Sequence, residues 1–350
     1  MSAVHFVVPG ALARPTGGSR YDRQIIEGLR QRGLAVTLSE LPGVFPPADE
    51  TGAGAIEAAL AGLAERTPVV ADGLVLGGLP TAFARHARRL RLHALVHHPL
   101  ADETGLDAAT AERLLATEKR ALASVERVIA TSQFTARRLR QLGLHSGPVE
   151  VIEPACTPAP LARGSGERTP TLLCVASLTP RKAQHVLLEA LAVIRDRAWR
   201  CRLIGPADLD ADYAARLDQQ RRALRLQDRV AITGALDAAA LAAAYRAADV
   251  FVLPSVYEGY GMVVSEAIAH GLPVVTTTGG ALAETLPAEA GLAVPPHDAA
   301  ALADALGRLL DEPGLRQSLA RGAARARQRL AGWAPAIERF AMLLGDDGHG

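Results

Sequence analysis

The chain is short of cysteine, lysine, aromatic residues and uncharged stretches, and each shortage excludes something. Its three cysteines, Cys156, Cys174 and Cys201, stand far apart without a CxxC spacing. A disulfide framework is therefore not expected, and the thiols read as buried and free in a reducing compartment. No window of about 18 residues is free of charge, so no membrane-spanning helix is expected. Met1–Gly10 has no basic region and breaks at Pro9, which does not read as a secretory leader. Net charge is only +1, so bulk electrostatics calls for neither nucleic acid nor a strongly acidic partner. A spaced GxGxxG fingerprint is also missing, which argues against a nicotinamide oxidoreductase. The expectation is a soluble, cytoplasmic protein. Basic positions are nearly all arginine, with Lys119 and Lys182 the only lysines, which singles out these two positions for a compact ammonium.

What is present is an alternation of short apolar runs and amphipathic helices. The 350 residues allow two domains, each with its own core. In the first half, strands are expected at Val4–Val8, Leu34–Leu38, Val69–Leu76, Ala94–Val96, Arg127–Ala130 and Val149–Ile152. A Pro/Gly-rich surface loop is expected over Leu41–Gly54, and helices at Ile56–Ala64, Thr81–Leu90, Ala108–Ser124 and Phe134–Leu142. Ser19 with Asp22 reads as the capping start of a helix that ends at Gly33, with Gly17-Gly18 in the loop before it. Pro154–Pro170 has little periodicity and many prolines, and reads as a linker. The alternation then restarts and runs to a helix over Leu315–Leu330, a last one from Trp333 and a loose Gly345–Gly350 tail. The fold class expected is α/β, with two doubly wound Rossmann-like domains facing a cleft. Their bounds would be 1–155 and 171–332, with a linker at 156–170 and the helix 333–345 packing back on the first domain.

The most informative stretch is Tyr257–Gly280, which follows the apolar strand Val250–Leu253. Glu258-Gly259-Tyr260-Gly261 forms a glycine loop, Met262–His270 a helix, and Leu272–Thr276 the next strand. Glu258 and Glu266 have seven residues between them and frame a helix start that offers free N–H groups to anions. Together they point to a ligand carrying both hydroxyls and phosphate. A solvated glutamate and a helix-surface glutamate is the other reading of the same spacing. Gly17-Gly18 also precedes a helix start at a strand end, as a ligand-facing loop or an ordinary tight turn. His97-His98 stands at a strand's carboxyl end, where parallel sheets hold ligands; no spaced partner completes a metal site. Arg85, Arg88 and Arg89 make one basic helix face, for an anionic acceptor, a membrane surface or plain solvent.

These residues resemble the retaining glycosyltransferases of family 4, with the GT-B fold. The Glu258–Glu266 pair matches the family's E-x7-E motif, and Leu178-Thr179-Pro180-Arg181-Lys182 before a Leu-Leu-Glu-Ala-Leu helix resembles its diphosphate loop. Val230–Gly234, Tyr245–Ser255, Gly271–Val275 and Gly279-Gly280 fall in the family's order and spacing. The likeness covers the second domain almost completely. In the first it rests on Gly17-Gly18, His97 and Thr131-Ser132.

The resemblance implies transfer of a sugar from a nucleotide-diphospho donor, most simply a UDP- or GDP-sugar, with no cofactor and no metal. The acceptor is left open among a glycan, a lipid and a small molecule, and peripheral contact with the inner membrane face is allowed. It further implies that Lys182 and the N–H groups of Gly261, Met262 and Val263 meet the departing diphosphate. Glu266 would accept from the ribose hydroxyls and Glu258 from the donor sugar, with the N–H groups of Gly259, Tyr260 and Gly261 beside it. Thr233 and Gly234 would hold the base, and His97 the sugar near its reacting carbon, with His98 the alternative register. Gly17 and Gly18 would approach the phosphates. Ser177 stands where the family usually has an arginine, with Arg181 or Arg20 as replacements. The rival readings are a sugar-nucleotide epimerase or phosphorylase on the same fold, and a donor-binding scaffold without turnover.

Overall fold

The computed structural model describes residues 3–46 and 49–345. Positions 346–350 of the expected tail and 47–48 of the expected loop lie outside the described residues. The chain divides into two compact units, Met1–Ala155 with Gly332–Gly350, and Cys156–Ala331. No helix among the described residues is long and apolar enough to cross a membrane.

The first unit is a six-stranded parallel sheet in the order β2-β1-β3-β4-β5-β6. Its strands are β1 (Val4–Pro9), β2 (Val36–Leu41), β3 (Pro68–Asp72), β4 (Arg91–Val96), β5 (Arg127–Ala130) and β6 (Val149–Val151). β3 and β4 are buried along their whole length, as strands covered on both faces must be. Successive strands step one way from β1 to β2 and the other way from β3 to β6, so the winding reverses between β1 and β3. The terminal helix Trp333–Gly345 belongs to this unit. Phe340 packs on Phe6 with ring centroids 6.0 Å apart, and Trp333 on Tyr21 at 5.8 Å. Gly28 makes this approach possible, because a Cβ there would stand 2.2 Å from Ile337 Cδ1.

The second unit is also a six-stranded parallel sheet, in the order β12-β11-β10-β7-β8-β9. It comprises β7 (Thr171–Val175), β8 (Arg200–Ile204), β9 (Val230–Thr233), β10 (Val250–Leu253), β11 (Val274–Thr277) and β12 (Gly291–Val294). Alternate residues of β7 serve two cores. Leu172 and Cys174 join Leu187, Trp199 and Leu306 on one face, while Leu173 and Val175 join Phe251, Val264 and Ile268 on the other. All three cysteines are buried thiols. The winding reverses between β7 and β10, and the crevice for a ligand opens at such a reversal, at the strands' carboxyl ends.

Several expected elements have different bounds. The apolar run Val69–Leu76 is not one strand: Asp72 ends β3, and its Oδ1 accepts from Leu74 N at 2.7 Å to cap a short helix, Gly73–Gly78. Gly17 and Gly18 lie within the helix Gly17–Gln31, because Thr16 rather than Ser19 is its cap and accepts from Ser19 N. Asp49 likewise starts the next helix at Glu50, inside the expected loop. β2 begins two residues later than expected, at Val36. The expected helix Leu315–Leu330 is Pro313–Ala326 followed by a tight turn at Arg327–Arg329.

Candidate functional site

The loops that follow β7 and β10 flank the reversal point of the second unit, and they carry the acid and the lysine singled out in the sequence. After β10, Gly261 adopts φ 94°, a left-handed conformation open to glycine, and the helix Met262–Ala269 starts at the next residue. Among the described residues no side chain caps that start, which leaves its first N–H groups to a ligand. Gly259, Tyr260, Met262 and Val263 are half-buried around it. After β7, Pro180–Lys182 makes a 3₁₀ turn that Ala183 leaves at φ 51°. Arg181 O accepts from Val256 N at 2.8 Å, which ties the two loops together.

Glu258 is the centre of this cluster and is 7% exposed. One carboxylate oxygen accepts from Lys182 Nζ at 2.5 Å and from Ser255 Oγ at 2.6 Å. Arg181 stands 3.6 Å from the other oxygen and donates to Tyr257 O at 3.1 Å. Burial pushes the Glu258 carboxyl up, but Lys182, Arg181 and the Ser255 hydroxyl outweigh it and hold the group below its ordinary value. The backbone is fixed from the far side, where Glu258 O accepts from Ala281 N at 2.8 Å. Gly279 and Gly280 allow that contact: a Cβ on either would stand 2.1 Å from Val256 O or 2.3 Å from Glu258 O.

Glu266 lies on the helix itself, half-buried, and accepts from the Tyr245 hydroxyl at 3.0 Å. Tyr245 is stacked on His270 at 4.9 Å, and His270 Nδ1 meets Pro160 O at 2.8 Å. Ser177 offers its carbonyl to Gln184 at 2.9 Å, across the turn that holds Lys182. Thr233 and Gly234 end β9 at the sheet edge, with Thr233 half-buried and Gly234 exposed. Lys182, Arg181 and Glu258 are thus in direct contact, with Glu266 on the adjoining helix, while Thr233 and Gly234 stand two strands away from β7.

His97, Gly17 and Gly18 belong to the first unit. His97 follows β4, and its Nε2 stands 3.1 Å from Asp22 Oδ1 and 3.4 Å from Asp72 Oδ2. Both carboxylates converge on one ring nitrogen, and the ligand atoms of the three residues lie within 4.8 Å of one another, so the cluster can share a proton or hold a metal ion, with Asp22 and Asp72 as the partners of His97 that the sequence did not reveal. The Tyr21 ring packs edge-on at 5.5 Å, and a Cβ on Gly18 would lie 3.4 Å from the imidazole. Burial lowers the His97 pKa, but Asp22 and Asp72 outweigh it and lift it to about 10. Burial lifts Asp22 to about 6 against the pull of His97. The neighbouring His98 faces Glu103 at 3.4 Å instead. Thr131 and Thr135 hydroxyls both donate to His97 O at 3.3 Å.

Asp22, Asp72, Ser255 and Tyr245 take part in these clusters without having been singled out as such. Asp22 was expected with Ser19 at the capping start of its helix, but the cap lies at Thr16 and Asp22 sits within the helix, 1% exposed. A signal was available: Asp22 falls on the apolar stripe of Ile25, Ile26 and Leu29. Asp72 similarly closes an apolar run next to a glycine.

Comparison with known proteins gives consistent likenesses. Residues 169–312 match the family model described as glycosyl transferases group 1. The D-inositol 3-phosphate glycosyltransferase of Salinispora tropica is 32% identical over 233 residues, 59% of this chain and 48% of that protein. The protein of the same name from Thermomonospora curvata is 32% identical over 248 residues, 64% of this chain and 57% of that one. The chain therefore spans about half the length of the curated relatives it matches. Among solved structures, sucrose-phosphate synthase from Thermosynechococcus elongatus superimposes with a TM-score of 0.84 at 24% identity, covering 99% of both chains. HepE from Anabaena, solved with UDP and glucose, gives 0.78 at 19% identity over 99% of this chain and 100% of that one.

Proposed function

The chain belongs to the group 1 glycosyltransferases, family 4, with the GT-B fold, and on that premise we propose that it moves a sugar from a nucleotide-diphospho donor to an acceptor hydroxyl with retention of configuration. The observation that carries this reading is the buried Glu258 carboxylate, held by Lys182, Arg181 and Ser255 at the winding reversal beside an uncapped helix start. An anionic ligand with hydroxyls suits each part. The helix start and the two cations supply positive charge for the leaving diphosphate, without a metal. Glu258, kept ionised by those cations, accepts from sugar hydroxyls, and Glu266, oriented by Tyr245, accepts from the ribose. Arg181, already beside Lys182, supplies the guanidinium that Ser177 lacks. A UDP-sugar is the favoured donor, since HepE has also been solved with UDP-glucose.

In the reaction the anomeric C–O bond to the diphosphate breaks and the acceptor oxygen bonds to the same face of that carbon. Its proton passes to the departing phosphate oxygen. Neither glutamate serves as an acid or a base.

The test is incubation with UDP-, GDP- and ADP-sugars and a panel of acceptors, with the products read by proton NMR. The reading predicts a glycoside with the donor's anomeric configuration. An inverted glycoside, or an epimerised sugar nucleotide without transfer, would refute it; saturable binding with no turnover would favour a scaffold.

A further inference from the structure

The Asp22–His97–Asp72 cluster is built more elaborately than a ligand-touching histidine requires. Resting on the proposed transfer and on the family resemblance that sets His97 against the donor sugar, we propose that Asp22 and Asp72 are positioning residues that hold His97 as a cation and leave its Nδ1–H to donate to the ligand. Nε2 lies against two carboxylate oxygens, at distances that a proton on Nε2 satisfies. Nδ1 then decides the role of the ring. In a neutral imidazole it would be a lone pair, able to act as a base; in the cation it is a donor. Nδ1 has no hydrogen-bond partner among the described residues, and the side chain is 19% exposed, so that edge of the ring is available.

The charged groups facing the ring all favour the cation. From the helix Gly17–Gln31 come Asp22 and Tyr21, and from the end of β3 comes Asp72. Tyr21 is neutral: burial pushes its hydroxyl well up, and it donates to Ile152 O at 2.8 Å. From the segment after β5, Thr131 and Thr135 offer only hydroxyls, which bind the His97 backbone and set where the ring begins. One imidazolium between two carboxylates leaves a buried excess of negative charge, which resists loss of the proton. The His97 pKa, lifted to about 10, agrees with that geometry.

The test is a titration of the His97 ring by nitrogen and carbon NMR, in the wild-type chain and in Asp22→Asn and Asp72→Asn, with the resonance assigned from His97→Gln. Asparagine is as good a helix cap as aspartate, so Asp72→Asn keeps the start of Gly73–Gly78 and guards against a folding failure of the other variant. The proposal predicts a wild-type ring still protonated at pH 8, and a midpoint lowered by about one unit or more in each variant. Where transfer is measured, the alkaline limb of kcat/KM should move by the same amount. At a pH between the variant and wild-type midpoints kcat should fall with the lost fraction of cation while the donor KM changes less. A wild-type midpoint near 6.5, or one unmoved in both variants, would overturn it. So would specific broadening of His97 by stoichiometric Mn²⁺, which would make the cluster a cation site. The NMR titration needs no turnover, so it decides this proposal even if no sugar nucleotide proves to be a donor.

Discussion

Replacing Lys182 by methionine isolates the energetics on which the donor cradle depends. The substitution removes the ammonium 2.5 Å from Glu258 and leaves a carboxylate that is 7% exposed. Breaking a buried ion pair from one side costs about 3–5 kcal/mol. Ser255 still donates at 2.6 Å and Arg181 remains 3.6 Å away, so the lower end, about 3 kcal/mol, is expected. For a unit of this size that lowers Tm by roughly 6–12 °C. The chain has two tryptophans, one in each unit: Trp199 in the second and Trp333 in the first. Urea unfolding followed by fluorescence in a Trp333→Phe background therefore reports the second unit alone, from a buried indole that lies under Arg229 at 3.7 Å. The double variant Lys182→Met, Glu258→Gln should recover most of the loss, because the orphaned charge is gone. The pH dependence has a defined sign. The Glu258 pKa is depressed, so its contribution is full above the ordinary glutamate value of 4.5 and is lost as pH falls through the folded value. The cost of Lys182→Met should shrink in that acid window. A loss below about 1 kcal/mol, or a double variant no more stable than the single, would refute the reasoning.

Two buried groups of the first unit titrate with opposite signs. Burial, with Arg91 and Arg127, lowers His93 to about 4, so its stability contribution is present above 6.5 and declines as pH falls toward 4. His93→Leu should remove about 2 kcal/mol of the wild-type decline between pH 7 and pH 5, as measured by urea midpoints. Burial lifts Glu118 to about 8 against the Leu100 N–H, with Asp102 adding to the rise, so its contribution is present at low pH and is lost between 4.5 and 8. Glu118→Gln should stabilise the chain relative to wild type progressively across that window, by up to about 4 kcal/mol at pH 8; a flat difference would contradict this. In the second unit, Tyr245→Phe keeps the stack on His270 and removes the hydroxyl from Glu266. Donor affinity should fall roughly five- to tenfold with little loss of stability, since a single hydrogen bond nets about 1 kcal/mol.

The second unit was the more legible in the sequence because its site is contiguous. Glu258, Gly261 and Glu266 lie within one loop and helix, and Lys182 stands out among arginines. The cluster around His97 is assembled from three distant segments, each hidden for a physical reason. Asp72 looked like the middle of a strand because capping is decided by one side chain within an apolar run. Asp22 was assigned to the helix cap because the helix start was placed three residues late, at Ser19 rather than Thr16, although it lies on the apolar stripe of Ile25, Ile26 and Leu29. The same misplacement put Gly17 and Gly18 in a loop. Tyr245 sat on an alanine-rich helix whose sequence said nothing of its hydroxyl, which reaches Glu266 across the fold.

The central claim is that the second unit binds a nucleotide-diphospho sugar through the Lys182–Glu258 cluster and Glu266. Calorimetric titration of UDP-, GDP- and ADP-sugars into the wild-type chain and Glu266→Ala tests it most directly. The account predicts saturable binding of at least one of them, weakened about tenfold or more in the variant through loss of the ribose hydrogen bonds. No binding of any sugar nucleotide, or equal affinity in both proteins, would contradict it.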